Sequence, residues 1–407
     1  MRRQISRVLL IGAALTIGTA CTSATPARAR LPLAQEQQSY AAQFDFIWDR
    51  FQTLYPSFAY KGVDWKGQRV AYRARAARAR SQDEFIAVAR EMLEPLRDLH
   101  VWFVDPRGEV VPTFRPTTYA NFDRARWERA LRDATPVSRG GSAVEATVGG
   151  YAYLFIGSWK TPTDAATIDL ALARMRDAPG LIIDVRANGG GSDATALAIV
   201  SRFTPRPLVA SYVQLRNGPA ETDLDPPVAR VVSPRGPWQF TRPVVVIAGR
   251  AGFSATESFV AAMRMLPNVT VIGDTTGGAS GNPATFLLAN GWQFTVPRWL
   301  EFTPDRQPIE GRGVAPQVAI PWTPSTYDSE RDPLIDAAVG LLGERNGLYR
   351  MAPALEAPPA GSATGPRGTS GGAGAGGAGA GGAGAGGAGA GGAAGRGVNQ
   401  RGNIRGH

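Results

Sequence analysis

Apolar residues first recur at helical spacing at Phe44, Ile47, Trp48, Phe51 and Leu54, and Pro56 stops the run. This spacing predicts an amphipathic helix. Residues 69–80 form an Arg/Ala-rich stretch that fits a solvated helix face. Ser81-Gln82-Asp83-Glu84 has the spacing of a capping box. It predicts a helix through Phe85, Val88, Met92 and Leu96 that ends at Asp98. Val101 to Val104 then reads as a short strand, so His100 stands at a helix-to-strand junction.

The pattern changes further on. Tyr151–Ile156, Leu181–Val185, Val244–Ala248 and Val269–Ile272 are short, nearly continuous apolar runs, as expected of buried strands. Helical patterns lie between them at 168–175, at 193–203 and from Ala255 onward. Phe286–Leu288 and Trp292–Val296 flank Asn290-Gly291, a hairpin signal. Strand, glycine turn and helix in repetition predict an α/β fold with parallel pairing.

Composition changes this picture mainly at the ends. The chain has 407 residues and a net charge of +10. Five arginines and no acid lie in residues 1–30, and four arginines and no acid lie in 361–407. Residues 31–360 therefore hold 35 basic and 34 acidic residues, a balance of +1. A nearly neutral folded part argues against a nucleic-acid partner, which needs basic side chains clustered on a folded face. The N-terminus, MRRQISR followed by VLLIGAALTIGTA, reads as a secretory signal. Two processing sites compete there: Ala27-Arg28-Ala29, and a lipoprotein-like Gly18-Thr19-Ala20-Cys21 that would lipidate Cys21. The segment 361–407 is a Gly/Ala array with little side chain to bury, and disorder is expected for it.

Candidate chemistry is limited by scarce residue types. There is one cysteine, Cys21, and two histidines, His100 and His407. This excludes an intramolecular disulfide framework and a Cys/His zinc cluster. No metal or cofactor is expected. Lysine is scarce too: Lys61, Lys66 and Lys160 stand against 41 arginines. Ser254 follows a buried strand and a turn at Gly252, and it opens a helix. A hydroxyl there faces the positive helix end and free backbone N–H groups, which suits a nucleophile and its oxyanion. Ser254-Ala255-Thr256-Glu257 is equally a capping box, so this segment alone also fits a simple N-cap. Asn188-Gly189-Gly190-Gly191 is a second strand-to-helix turn whose amides can face an anion, or simply a tight turn. It has no GK[ST] ending and no GxGxxG pattern. A serine nucleophile needs a base, and His100 is the one histidine outside the ends. Glu310 or Asp98 could orient it.

These pieces occur in a recognisable order. The chain resembles the tail-specific (C-terminal processing) serine proteases, in the branch similar to the tricorn core and to interphotoreceptor retinoid-binding protein. Leu96-Arg97-Asp98-Leu99-His100 resembles that family's L-x-D-x-H element, and Gly149 to Leu154 its first core strand. Asp184-Val185-Arg186-Ala187-Asn188-Gly189-Gly190 resembles its D-x-R-x-N-x-G-G hallmark. Phe253 to Glu257 resembles the nucleophile segment, Gly273 to Gly278 the G-x-x-T-x-G segment, and Glu310 to Pro316 the late E-x-x-G-V-x-P element.

The resemblance implies a crotonase-like α/β core with an N-terminal helical subdomain. It implies hydrolysis of peptide or protein substrates by Ser254, with His100 and Glu310 completing the site and Gly190 and Ala255 supplying oxyanion N–H groups. Gly278-Ala279 stands where Ser–Lys members carry their lysine, which points to the histidine–glutamate variant. Leu99 stands where tricorn has a hydroxyl residue before the histidine, and Gln317 replaces the usual Asp after Pro316. The 46 residues of 105–150 leave no room for a PDZ domain.

The expected layout is a signal at 1–29, a helical subdomain at 31–110, a catalytic core at 111–345 and a disordered tail at 346–407. The expected place of action is the periplasm or outer cell envelope, with a membrane reached only through a lipid on Cys21. No sequence pattern sets an oligomeric state. Two further readings remain at this point. One is a non-catalytic ligand- or partner-binding protein of the envelope on the same fold, and the other is a scaffold acting through its Gly/Ala tail.

Overall fold

The computed structural model describes residues 39–345, apart from 117–119, 133, 135–137, 141–142, 161, 321 and 323–330. The signal, Cys21, the Gly/Ala array and His407 lie outside the described residues.

The N-terminal part is helical: α1 (Tyr40–Leu54), α2 (Phe58–Lys61), α3 (Trp65–Ala77) and α4 (Gln82–Leu93). Helix α1 buries Phe44, Ile47, Trp48 and Phe51, the stripe that the spacing predicts. In α4, Ser81 Oγ accepts from the Glu84 N–H (3.2 Å), as its capping spacing predicts. The helix does not run to Asp98, however. It stops at Leu93, a 3₁₀ turn follows at Glu94–Leu96, and Arg97 enters the left-handed region (φ 44°). Pro95 explains the early end, because it lacks the N–H that an α-helix needs there.

Strands β1 (Trp102–Val104) and β2 (Val110–Pro112) pair with each other. Strand β1 also pairs with a hairpin that comes much later in the chain, described below. Helix α5 (Arg124–Ala130) leads to the main sheet.

That sheet is built from β3 (Ser138–Gly140), β4 (Ala143–Val148), β5 (Tyr151–Ile156), β6 (Leu181–Asp184), β9 (Val244–Ala248), β10 (Val269–Gly273) and β14 (Val318–Ala319). The spatial order is β14-β10-β9-β6-β5-β4-β3, parallel from β14 to β5 and antiparallel beyond. Crossover helices α6 (Pro162–Met175), α7 (Asp193–Val200) and α8 (Ala255–Met263) connect the parallel strands. The fold is therefore mixed α/β.

Strand periodicity sorts the side chains onto two faces. Leu181, Ile183, Val244, Val246 and Val271 pack with residues of α6, α7 and α8. Ile182, Val245, Ile247 and Ile272 face the other way, toward Trp127 of α5 and Leu334, Ala338 and Leu342 of the last helix, α9 (Pro333–Arg345). Strands covered on both faces must be apolar throughout, which is why they read as continuous runs.

A small sheet of β7 (Leu208–Leu215), β8 (Val228–Val232) and β13 (Trp299–Phe302) lies apart in the pairing, in the order β13-β7-β8. The expected hairpin forms as β11 (Ala284–Leu287) and β12 (Gln293–Val296), and β12 pairs with β1. Its Phe286, Leu288, Phe294 and Val296 complete the core of α1–α4. The hydrophobic core of the N-terminal helices thus crosses the expected boundary at 110/111.

Candidate active site

Two strand-to-helix turns meet at one end of the main sheet. Strands β6 and β9 are parallel neighbours, with Asp184 opposite Ile247. Their carboxyl ends therefore lie side by side, where open α/β sheets bind their ligands. The turn after β6 carries Asn188 to Gly191. The turn after β9 carries Gly252 to Ser254.

Ser254 adopts φ 61° and ψ −132° at the start of α8. A β-substituted residue is strained there by about 1–3 kcal/mol, and such strain collects at functional sites. Two contacts hold its backbone N–H. The Ser254 N–H donates to the Ala279 carbonyl (2.7 Å) and to Glu257 Oε2 (3.3 Å). The Glu257 half of the capping box is formed, but the Glu257 N–H donates to the Ser254 carbonyl (2.7 Å) and the Ser254 side chain makes no cap hydrogen bond, so Ser254 holds the N-cap position through its backbone.

Glu257 does more than cap. Its carboxylate accepts from the Thr276 hydroxyl (2.5 Å), the Gly278 N–H (2.7 Å) and the Ala279 N–H (2.8 Å). Burial pushes Glu257 up to about 7, and these donors hold it down. The sequence alone shows only its capping position, because its other partners lie some twenty residues away. The late loop is fastened to the same centre. The Thr276 hydroxyl oxygen accepts from the Val314 N–H (2.7 Å), and the Gly311 N–H donates to the Gly278 carbonyl (2.8 Å).

The glycine turn is in direct contact with the serine. A Cβ on Gly190 would sit 2.6 Å from Ser254 Cβ, and φ is +91° there, so only glycine fits. The Thr256 hydroxyl donates to the Asn188 carbonyl (2.8 Å) and accepts from Trp159 Nε1–H (2.9 Å). These bonds fasten the two turns together.

The expected oxyanion donors fare differently. The Ala255 N–H, at the first position of α8, has no acceptor among the described residues. The Gly190 N–H already donates to Asn188 Oδ1 (2.9 Å). The N–H groups of Gly189 and Gly191 have no acceptor among the described residues.

His100 is 3 % exposed, and its ring meets the Phe253 ring edge-on at 5.6 Å. Phe253 also faces Gly189, where a Cβ would lie 3.2 Å from its ring. The imidazole is thus one residue from the serine. No hydrogen bond links the two side chains among the described residues, and Nδ1 is buried without a partner. Burial pushes the His100 imidazole below its usual range; Asp98 opposes this and Lys61 adds to it.

Asp98 is buried and does not bond the imidazole. It accepts from the His100 backbone N–H (2.8 Å) and from the Tyr55 hydroxyl (2.9 Å). Glu310 is also buried, and its partner is unexpected: Lys61 Nζ lies 2.6 Å from Glu310 Oε1, with side chains 9 % and 3 % exposed. Burial and the Asp98 charge push Glu310 up to about 8, against the pull of Lys61. Lys61 was missed from the sequence. Its one signal was rarity, as one of three lysines in an arginine-rich chain.

A cavity of about 560 Å³ opens beside this cluster, lined among others by Lys61, Arg97, Leu99, Phe114, Gly277 and Gly311. Among the described residues no group of His, Cys, Asp and Glu is arranged to hold a metal ion. None of their helices is long and apolar enough to cross a membrane.

Asp184 and Arg186 of the hallmark form no hydrogen bond with Ser254 or His100 among the described residues. Arg186 bonds Asp184 (2.7 Å) and Asp332 (2.9 Å), fully buried, and so ties β6 to the start of α9.

Residues 150–320 match Peptidase family S41, and residues 36–94 match the Tricorn protease C1 domain. A crystal structure of a candidate peptidase from Parabacteroides merdae superposes with a TM-score of 0.67 at 30 % identity, covering 75 % of this chain and 96 % of that one. The chain belongs to peptidase family S41. This S41 chain is also 27 % identical over 274 residues to Tricorn protease homolog 1 of Streptomyces coelicolor, covering 64 % of this chain and 24 % of that protein. It is 30 % identical over 145 residues to the carboxy-terminal processing protease CtpA of Bacillus subtilis, covering 35 % of this chain and 29 % of that one. The S41 chain thus spans under a third of the length of these two curated relatives.

Proposed function

We propose that this S41 chain is an exported serine peptidase that hydrolyses peptide or protein substrates through an acyl-enzyme on Ser254. The observation that carries the reading is the strained Ser254 turn, pressed against Gly190 beside the unpaired Ala255 N–H. Ser254 Oγ attacks the scissile carbonyl, and His100 takes its proton. The oxyanion that forms accepts from the Ala255 N–H and from an N–H of the Asn188–Gly191 turn. His100 then protonates the leaving amine, and water, deprotonated in turn, releases the acyl group.

The protonation states support this division of roles. Desolvation favours a neutral His100, ready to accept a proton. Lys61 is held as a cation by Asp98 and Glu310, which outweigh its burial, so it is no base. In this reading the imidazole and the hydroxyl close their gap when substrate enters, as is common for catalytic hydrogen bonds that are long in the free enzyme. The α/β unit is the crotonase-like core, and the basic-then-apolar N-terminus directs export, with Cys21 as the lipid site if the lipoprotein signal is used.

A second reading, a non-catalytic binding protein on the same fold, draws on the unpartnered imidazole and on Glu310 being engaged by Lys61. Mass spectrometry of a peptide library separates the two. Wild-type protein should yield defined cleavage products, and Ser254→Ala should yield none. Intact peptides after incubation with folded wild-type protein would favour the binding reading.

A further inference from the structure

Lys61 ends the short helix α2, which Gly62 closes in the left-handed conformation (φ 64°). The side chain leaves the N-terminal helices and reaches the loop after β13, where it meets Glu310 at 2.6 Å. Its ammonium also donates to the Arg97 carbonyl (3.4 Å), two residues from Leu99 and three from His100. We propose that Lys61 is a positioning residue of the hydrolytic site: its ammonium is the counter-charge of Glu310 in the buried cluster that adjoins the Asp98–His100 segment. This rests on the serine-peptidase reading above.

Charge balance in this buried cluster gives Lys61 that role. Glu310 meets Lys61 of α2 and feels the charges of Asp98, in the segment before β1, and of Glu257 of α8, while Tyr55 at the end of α1 is acted on by both Asp98 and Glu310. Asp98 in turn faces Tyr55, Lys61 and His100. Arg97 repels Lys61, and its guanidinium is engaged over the Phe114 ring at 5.3 Å. Among the described residues, Lys61 is thus the cation that ion-pairs within the cluster. Buried carboxylates crowded together cannot all ionise without one. Removing the ammonium would leave Glu310 under the charges of Asp98 and Glu257 with no counter-charge, and Glu310 would keep its proton to higher pH. The same removal would ease protonation of His100, because Lys61 repels the imidazolium. Both effects move the working range of the site upward in pH. A purely structural ion pair would change stability and leave this range where it is.

The test is the rate at which a fluorophosphonate labels Ser254 in the full chain, followed from about pH 5 to 9.5. In Lys61→Met the rising limb should move up by about one pH unit or more, while Lys61→Arg, which keeps the cation, should stay near wild type. Wild type should show a component of the limb near pH 8, and Glu310→Gln should abolish it. That variant decides the matter even where Lys61→Met fails to fold. Coincident profiles for wild type and folded Lys61→Met would overturn the proposal, as would a Glu310→Gln profile identical to wild type. Absence of labelling in wild type at every pH is a different result: it would overturn the peptidase reading itself, and this proposal with it.

Discussion

At the scale of single residues, the proposed site is organised by groups that are given no part in the proposed reaction. Ser254 is held in a strained turn by Glu257, and Thr256 ties that turn to Asn188 and Trp159. Thr256→Val keeps the shape and removes both hydroxyl bonds. It leaves the buried Asn188 carbonyl and the Trp159 N–H unpaired, so denaturant unfolding should show a loss of about 2–4 kcal/mol. Labelling of Ser254 should slow as well, because the two turns lose their fastening. Unchanged stability would mean that these bonds contribute nothing net. Ser254, His100 and Ala255 were legible in the sequence because each lies in a local pattern: a turn after an apolar run, a rare residue type, a helix start. Lys61 and the wider role of Glu257 were not legible. Their partners are separated by up to 249 positions in the chain, as with Lys61 and Glu310, and no local pattern encodes such a meeting.

At the scale of elements, the buried parallel strands were legible from their apolar runs, and β5 and β9 span the expected residues. The helix expected to reach Asp98 was not, because Pro95 and the left-handed Arg97 override its apolar spacing. The pairing of β1 with β12 was hidden for a similar reason, since hairpin chemistry sets the turn and not the third strand. The start of α7, the first turns of α8 and the small sheet share a buried polar junction. Glu301 of β13 accepts from Ser258 Oγ (2.7 Å) and from Arg230 (2.9 Å), and Arg230 also approaches Asp193 (3.6 Å). Burial pushes Glu301 up to about 7 from 4.5, with Arg230 opposing and Asp193 adding to the rise. An acid whose folded-state value is raised stabilises the fold most while it is protonated. That contribution falls as pH rises from about 4.5 to about 7, and is flat above. The stability of wild type relative to Glu301→Gln should therefore drop by up to about 3 kcal/mol across that interval. A constant difference between the two proteins from pH 4.5 to 7.5 would contradict this assignment.

At the scale of the whole molecule, the N-terminal helices do not merely cover the α/β unit. They share a core with the β11–β12 hairpin, and α2 sends Lys61 to Glu310. The site therefore draws on the chain from Tyr55 to Val314, which explains why its parts are so dispersed in the sequence. The net charge of +10, by contrast, says little about the site, because it resides at the two ends of the chain. The central claim is that Ser254 is a nucleophile activated by His100. Site-resolved mass spectrometry after exposure to a fluorophosphonate tests it most directly. The account predicts an adduct on Ser254 in wild type, about 100-fold or more slower in His100→Ala and absent in Ser254→Ala. A folded wild-type protein with no adduct on Ser254, or one labelled equally fast without His100, would contradict it.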